Sequence, residues 1–290
     1  MGFDWDALRP YLTVPYIPTI GPVHPSVLAQ ERFEDILTAA GSGRFLPYDK
    51  DRRWSPMKQE RVLVEDIEQT PGKTLVPTLT RHGHDTVKVH VYSCEPDALT
   101  TAAVHAKKLC AAHDAKVARV VWFLGPEQPE HYVRGTRVQL KDFAAGAGAD
   151  PGAGVQEYEE LPGEARAGFA EFAERMADDG FAFLYQRMKL GHVGSILTVS
   201  HEGKVAGAIG PMETMVDAIG QTQLLPQYFG VLPEFRGHGY GRALWRAAMH
   251  WGHRHGAAYQ LLQTEVGGAS DRLCAAEGLA SLGFVCSVKA

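Results

Sequence analysis

Apolar residues in this chain recur with two periods, and the changes between them mark out its elements. Val87, Val89 and Val91 alternate with polar neighbours, the period-two pattern of a half-buried strand over residues 86–93. A helix of good intrinsic propensity is predicted over 97–113, and an apolar strand follows at 117–124. Ahead of them, 61–68 and 73–80 read as strands around a Pro71-Gly72 turn. Residues 1–45 are proline-rich and run extended into a helix at 26–40, with Ser26 as expected N-cap and Phe33, Ile36 and Leu37 on its apolar side. A further strand or pair of strands is expected over 131–143.

Residues 144–154, Ala-Ala-Gly-Ala-Gly-Ala-Asp-Pro-Gly-Ala-Gly, carry no anchoring side chain and read as a flexible connection. The expected division is therefore a first α/β domain at 1–143, a linker at 144–154 and a second domain at 155–290. In the second domain, 163–179 is an amphipathic helix carrying Phe169, Phe172 and Met176. Strands at 194–200 and 204–211 form a hairpin about His201-Glu-Gly203. A strand at 222–232, a helix at 239–255, a strand at 258–265, a helix at 270–282 and a strand at 284–289 complete the order. Antiparallel strands followed by strand, helix, strand imply an α/β fold of mixed, α+β-like type, not a repeated βαβ array.

The stretch Tyr228-Phe-Gly-Val-Leu-Pro-Glu-Phe-Arg-Gly-His-Gly-Tyr-Gly-Arg-Ala-Leu-Trp245 stands out within that order. An apolar run breaks at a proline, passes through Gly237, Gly239 and Gly241, and enters a helix. Glycines there allow positive φ and bring bare N–H groups close to a ligand. The following helix adds unpaired N–H groups and about half a positive charge, and Arg236 and Arg242 add full charges. The stretch reads as an anion cradle suited to phosphate. A dinucleotide fingerprint needs G-x-G-x-x-G after a first strand, and a P-loop needs G-x-x-x-x-G-K; neither spacing is present.

Composition narrows the field. With 290 residues, 45% of them hydrophobic, the chain can build a sizeable core, and a net charge of -5 with no basic stripe argues against a nucleic-acid partner. No run approaches the length of a membrane span and the start lacks a signal-peptide pattern, so a cytoplasmic protein is expected. Cys94, Cys110, Cys274 and Cys286 read as free thiols. Of the histidines, His82 and His84 suit a hairpin tip. His250 and His253 are one turn apart, but share a helix stripe with Arg242 and Arg246 that marks a solvated face. No metal is expected.

Arg236, Gly239 and Gly241 occupy the positions of the acyl-CoA signature of the GNAT superfamily of N-acyltransferases, which residues 155–290 resemble. Ala275 and Leu282-Gly-Phe284 fit that family's last helix and strand. The resemblance implies a GNAT-type mixed sheet flanked by helices, with acetyl-CoA or another acyl-CoA as co-substrate. It places CoA against Phe229, Val231, Arg236, Gly237, His238, Gly239, Tyr240, Gly241 and Arg242, with the Val231 N–H polarising the thioester. It further implies transfer, most simply of acetyl, to a small-molecule primary amine by direct attack. Two positions depart from the pattern: Arg272 stands where the family often has Asn, and Leu279 where it often has a proton-donating Tyr.

The strand at 222–232 also lacks a carboxylate. Glu265 and Glu213 are left as candidate bases, Glu265 being favoured because it ends a strand, and Tyr228 as the local substitute acid. A catalytically silent CoA-binding or regulatory module is the alternative. After Phe284 too few residues remain for a final hairpin, and the first domain repeats the order strand, helix, strand with Ser93-Cys-Glu-Pro-Asp97 in place of a glycine loop. A tandem protein is therefore expected, its degenerate first half completing the sheet of the second; an unrelated α/β domain acting as lid or dimer surface stays open, and with it a homodimer.

Overall fold

The computed structural model describes residues 3–54, 57–81, 83–128, 134–152 and 154–290. In chain order the first half contains α1 (Trp5–Leu8), β1 (Tyr16–Ile17), β2 (Gly21–Pro22), α2 (Gln30–Ala39), β3 (Glu60–Val62), β4 (Glu68–Thr70), β5 (Lys73–Thr80), β6 (Thr86–Ser93), α3 (Ala98–Ala112), β7 (Val117–Leu124) and β8 (Gly135–Asp142). The second half contains β9 (Val155–Glu157), α4 (Gly163–Arg175), α5 (Phe181–Lys189), β10 (Ser195–His201), β11 (Lys204–Met212), β12 (Thr214–Val216), β13 (Thr222–Leu224), β14 (Tyr228–Val231), α6 (Tyr240–Arg254), β15 (Tyr259–Glu265), α7 (Ala269–Ala276) and β16 (Ala280–Lys289). The fold class is mixed α/β, as expected. Among the described residues no helix is long and apolar enough to cross a membrane.

Contacts gather the chain into two compact units. One comprises Met1–Leu140, Asp217–Ile219 and Leu261–Ala290; the other comprises Lys141–Val216 and Gly220–Gln260. The linear division expected at 144–154 is thus not the one the contacts make, because the last stretch of chain joins the first half. The reason lies in β16. It lies between β8 and β7, antiparallel to both, with Phe284 opposite Arg137 on one side and Leu124 on the other.

That first unit continues through β6, β5 and β3. β7 and β6 are parallel, joined by α3, while β5 runs antiparallel to β6. The valine alternation is used as read: Val87, Val89 and Val91 are all buried. Ala98, Ala102 and Ala106 recur every fourth residue of α3, and these small side chains bury the helix in one cluster with Val89, Val91 and Val120. Gly283 adopts φ +111° at a register shift in β16, and a Cβ there would sit 2.6 Å from the Leu124 carbonyl oxygen. The glycine of Leu282-Gly-Phe284 therefore serves close approach of strands.

A buried polar network also joins β8 to this last segment. Arg137 (7% exposed) donates from Nε to Asp271 Oδ1 at 2.8 Å, and Gln139 and Thr264 donate to the same oxygen at 3.0 and 2.9 Å. The Gly267 N–H donates to Oδ2 at 2.9 Å. Burial opposes the charged form of Asp271, but these bonds outweigh it and hold its carboxyl below the ordinary carboxylate range.

The second unit carries the antiparallel sheet β9–β10–β11–β14 and the short arrangement of β12, β13 and the start of β15. Phe169, Phe172 and Met176 of the amphipathic region pack with Phe181, Leu184 and Ile196. Several sequence expectations are corrected here. The helix expected at 163–179 ends at Arg175, and after a 3-10 turn Gly180, in the left-handed region, opens α5, which the pattern did not announce.

In the first half, Ser26 lies in a 3-10 turn, and Ala29 caps α2 without a side-chain bond. The strand at 61–68 is interrupted by a 3-10 turn at Val64–Asp66. The helix expected to reach 282 stops at Ala276, because Gly278 takes φ +77° and turns the chain into β16. His82 and His131 lie outside the described residues.

Two outcomes follow. Residues 155–290 expressed alone leave β16 without β7 and β8, so that fragment should lack a cooperative thermal transition by circular dichroism, whereas the full chain shows one. Asp271→Asn should destabilise the chain by roughly 3–5 kcal/mol at neutral pH, as breaking a buried pair does. Because the carboxyl is depressed in the folded state, its contribution is complete above about pH 4 and lost as pH falls through the folded value. Urea unfolding from pH 7 down to pH 3 should therefore be flatter with pH in the variant than in the parent chain.

Candidate functional site

The expected strand at 222–232 changes partners partway. β13 pairs in parallel with β15 through Gln223 with Tyr259 and Leu224 with Gln260, while β14 pairs antiparallel with β11 from Tyr228 with Gly210 to Val231 with Gly207. At the change, the Leu225 N–H donates to the Glu213 carbonyl at 2.9 Å. β14 is then the outermost strand of its sheet. Which of its backbone groups face outward follows from alternation. The Leu232 N–H donates to Ala206 O at 2.9 Å, so residues 230 and 232 turn toward β11 while Phe229 and Val231 turn away. Arg236 Nε donates to the outward Val231 carbonyl at 3.0 Å. The N–H groups of Phe229 and Val231 are left along the open edge.

Beyond β14, Pro233–Phe235 form a 3-10 turn, and Gly237 and Gly239 take φ +86° and +81°. An added Cβ at either would meet nothing within 4 Å, so these glycines answer to backbone angle and not to crowding. Gly239 caps α6 with no side chain to offer, and the first bond inside the helix is Ala243 N–H to Gly239 O at 3.0 Å. The N–H groups before it point out of the helix end, at the positive pole of its dipole. Arg236, His238 and Arg242 are exposed around this end. Glu234, the acid of the turn, is paired with Arg175 at 2.7 Å.

A cluster of rings pins the turn. His201, at the end of β10, meets the Tyr240 hydroxyl through Nδ1 at 2.6 Å, and its ring lies 5.0 Å from Phe235 and 5.8 Å from His238. His238 in turn stacks on Tyr240 at 5.8 Å. His201 was legible only as a hairpin residue, since the partners that give it a role are far along the chain.

Residues 158–276 match the model of the acetyltransferase (GNAT) family. Among solved structures the chain is similar to a GCN5-related N-acetyltransferase from Sphaerobacter thermophilus, at 14% identity and TM-score 0.45 over 78% of this chain and 84% of that one. It is similar to a tandem GNAT protein from the clavulanic acid biosynthesis pathway, at 14% identity and TM-score 0.45 over 88% and 93%. A GCN5-related N-acetyltransferase from Kribbella flavida gives 16% identity and TM-score 0.45 over 78% and 90%. Likeness at this level assigns no activity. Comparison with curated proteins finds no match.

Within the matched segment, the second unit gathers Phe229, Val231, the turn from Arg236 to Arg242, Glu213 and Tyr228. Glu213 accepts the Gly194 N–H through Oε1 at 3.2 Å, while its backbone holds Leu225 at the change of partners. Tyr228 is half-buried, its ring lying so close over Gly180 that a Cβ there would be 2.3 Å away, with Phe181 and Phe183 beside it. Glu265 ends β15 in the first unit, exposed, its carbonyl accepting the Gly268 N–H. Leu279 is buried in that unit and Arg272 reaches the Gly267 carbonyl. His250 Nε2 meets the Ala149 carbonyl at 3.1 Å and His253 lies against Phe143, so each has local employment.

Placing alanine at Gly239 forces an L-residue into the left-handed region at about 1–2 kcal/mol. Gly239→Ala should lower the stability of the chain by about that amount, read as a shifted midpoint in urea unfolding.

Proposed function

We propose that this chain binds an acyl-CoA, most simply acetyl-CoA, in its second unit and transfers the acyl group to a small-molecule primary amine. The observation that carries this reading is a strand that leaves its neighbour, presents the Phe229 and Val231 N–H groups along an open edge, and runs into two positive-φ glycines at the bare start of α6. The edge can pair with the amides of a pantetheine arm as with another strand, and the turn suits a pyrophosphate. The Val231 N–H is the donor assigned to the thioester carbonyl, where charge develops as the amine attacks.

Direct attack is favoured over an acyl-cysteine route. Burial pushes the Cys274 thiol up to about 12 and raises that of Cys286, so neither thiolate forms readily. Of the two candidate carboxylates, Glu213 shares the unit of the glycine turn, and we assign it to accept the amine proton through water. Tyr228 is the assigned donor to the departing thiolate.

The first half is proposed to be a degenerate relative of the second. β6, α3 and β7 repeat the order strand, helix, parallel strand, but the turn before α3 is tied to the hairpin at 72–73: Ser93 Oγ donates to Gly72 O at 2.8 Å and Glu95 pairs with Lys73 at 3.4 Å. A carboxylate in that turn repels phosphate.

Titration with acetyl-CoA, followed by thiol release over a panel of primary amines, tests the proposal. One acetyl-CoA per chain and amine-dependent thiol release are expected, with Glu213→Gln lowering kcat by about 10²-fold or more. Binding without release on any amine would instead identify a silent CoA-binding module, and no binding would remove both readings.

A further inference from the structure

α5 buries Phe181 and Leu184 completely, yet it leaves Phe183 44% exposed and Leu190, its cap, 62% exposed. Arg187 stands between these two on the same stripe, four residues after Phe183 and three before Leu190. Arg187 is partly buried, makes no ion pair among the described residues, and its Nε is buried there without a hydrogen-bond partner. Its neighbour Lys189 is differently placed, lying over the Tyr185 ring at 4.2 Å. Taking part of a guanidinium out of water without a partner is unfavourable, and a carboxylate that pairs with it offsets the loss.

The stripe begins beside the candidate site. The Phe183 ring lies 6.3 Å from that of Tyr228, the assigned donor to the departing thiolate, and Gly180 lets the two elements close because the Tyr228 ring takes the space of its missing Cβ. Arg187 is one helical turn beyond Phe183, roughly 6 Å along α5. The phosphate turn is at the far end of β14: Tyr228 opens the strand and the turn follows Val231, three residues or about 10 Å on. A molecule at Tyr228 therefore reaches Arg187 more readily than a pyrophosphate seated past Val231 does. Asp178 and Asp179, exposed in the turn before Gly180, put negative charge at the opposite end of α5 from Arg187. The surface thus runs from acids through an exposed aromatic ring to an unpaired cation.

We propose that the acceptor amine carries a carboxylate of its own, with its apolar body on Phe183, its carboxylate on Arg187 and its amine beside Tyr228. The substrate class is amino acids with an aromatic or extended aliphatic body. This inference rests on the acyl-transfer reading above and narrows its acceptor. The planar fork of a guanidinium matches a carboxylate in two parallel hydrogen bonds, which fixes the orientation of the molecule as well as holding it. The reaction is unchanged: the amine nitrogen forms the C–N bond as the C–S bond breaks, its proton goes through water to Glu213, and sulfur leaves as the thiol. The carboxylate takes no part in those steps. An anionic group of the acyl-CoA has the same chemistry, and the experiment separates the two sources.

The full-length protein is assayed for thiol release from acetyl-CoA with two matched pairs, L-phenylalanine against phenethylamine and ε-aminocaproate against pentylamine, which differ only by the carboxylate. In at least one pair the carboxylate-bearing member should have a kcat/KM about tenfold to a hundredfold higher, expressed in KM. Arg187→Met should abolish that difference with acetyl-CoA affinity unchanged by titration calorimetry. Phe183→Ala, at an exposed position, should raise KM for the same substrate about threefold to tenfold; if Arg187→Met does not fold, an unchanged KM in this second variant overturns the proposal. A preference that survives Arg187→Met also overturns it, as does equal or better turnover of the decarboxylated member in both pairs. Arg187→Met that weakens acetyl-CoA and spares the amine gives the guanidinium to the acyl-CoA instead. Thiol release with other primary amines but with neither carboxylate-bearing one sinks this proposal and leaves acyl transfer standing, whereas a chain that binds no acetyl-CoA, or releases thiol with no amine, sinks both.

Discussion

A strand can pair with two neighbours only while both keep step with it, and strand 222–231 ceases to do so with β15 after Leu224. Most of the candidate site depends on that one break. It leaves β14 as an edge, which soluble proteins ordinarily cover or blunt. It buries the Gln260 side-chain oxygen without a hydrogen-bond partner among the described residues. It also delivers the chain to the glycine turn from the side of β11, so that α6 begins where the outward N–H groups of Phe229 and Val231 end. The break is held from both sides: the Glu213 carbonyl takes the Leu225 N–H, and the Tyr228 ring approaches Gly180 more closely than a Cβ would allow. Local strain or unmade bonds persist only where the surroundings over-determine them.

A second constraint operates in the other unit. β16 is held between β8 and β7. Two glycines make the fit close. At Gly135 a Cβ would stand 2.4 Å from the Val285 oxygen, and at Gly283 it would stand 2.6 Å from the Leu124 oxygen. The Asp271 network adds a directional lock, since a carboxylate with this many donors has one arrangement that satisfies them all. The first half thus contributes strands on which the last element of the chain relies.

Much of this was legible in the residues. Val87, Val89 and Val91, the helix that is α3 and the glycines at 237 and 239 read correctly because their signals are local: period, propensity and backbone angle. What could not be read depends on partners distant in sequence. The division between units turned on β16 finding β7, which no small-residue linker announces. The partner change within 222–231 has no signature in an apolar run, since either set of neighbours would bury it. His201 and Gln260 are undistinguished residues until Tyr240 and Gln227 are brought beside them. Leu282-Gly-Phe284 was visible as a motif, but its placement inside a strand depended on Gly278 ending α7 early.

On the proposed acyl-transfer reading, the departures from the resembled pattern shift where catalysis would have to come from. With Leu279 in place of a tyrosine, no hydroxyl stands at that position, and general acid–base assistance of about 10²–10⁴-fold has to come from elsewhere or be forgone. The leaving group softens that loss. A thiol of the cysteine type ionises near pH 8.5, so a thiolate departs from the tetrahedral adduct near neutral pH without a dedicated acid. Orientation is the larger resource, worth up to roughly 7–11 kcal/mol when two reactants are held in an attack geometry. An acyltransferase on this scaffold therefore depends more on the exactness of its fork than on any single proton-transfer residue. Loosening the partner change at Leu225 would then damage turnover more than removing either candidate carboxylate, because it would release the thioester, its carbonyl donor and the phosphate turn together.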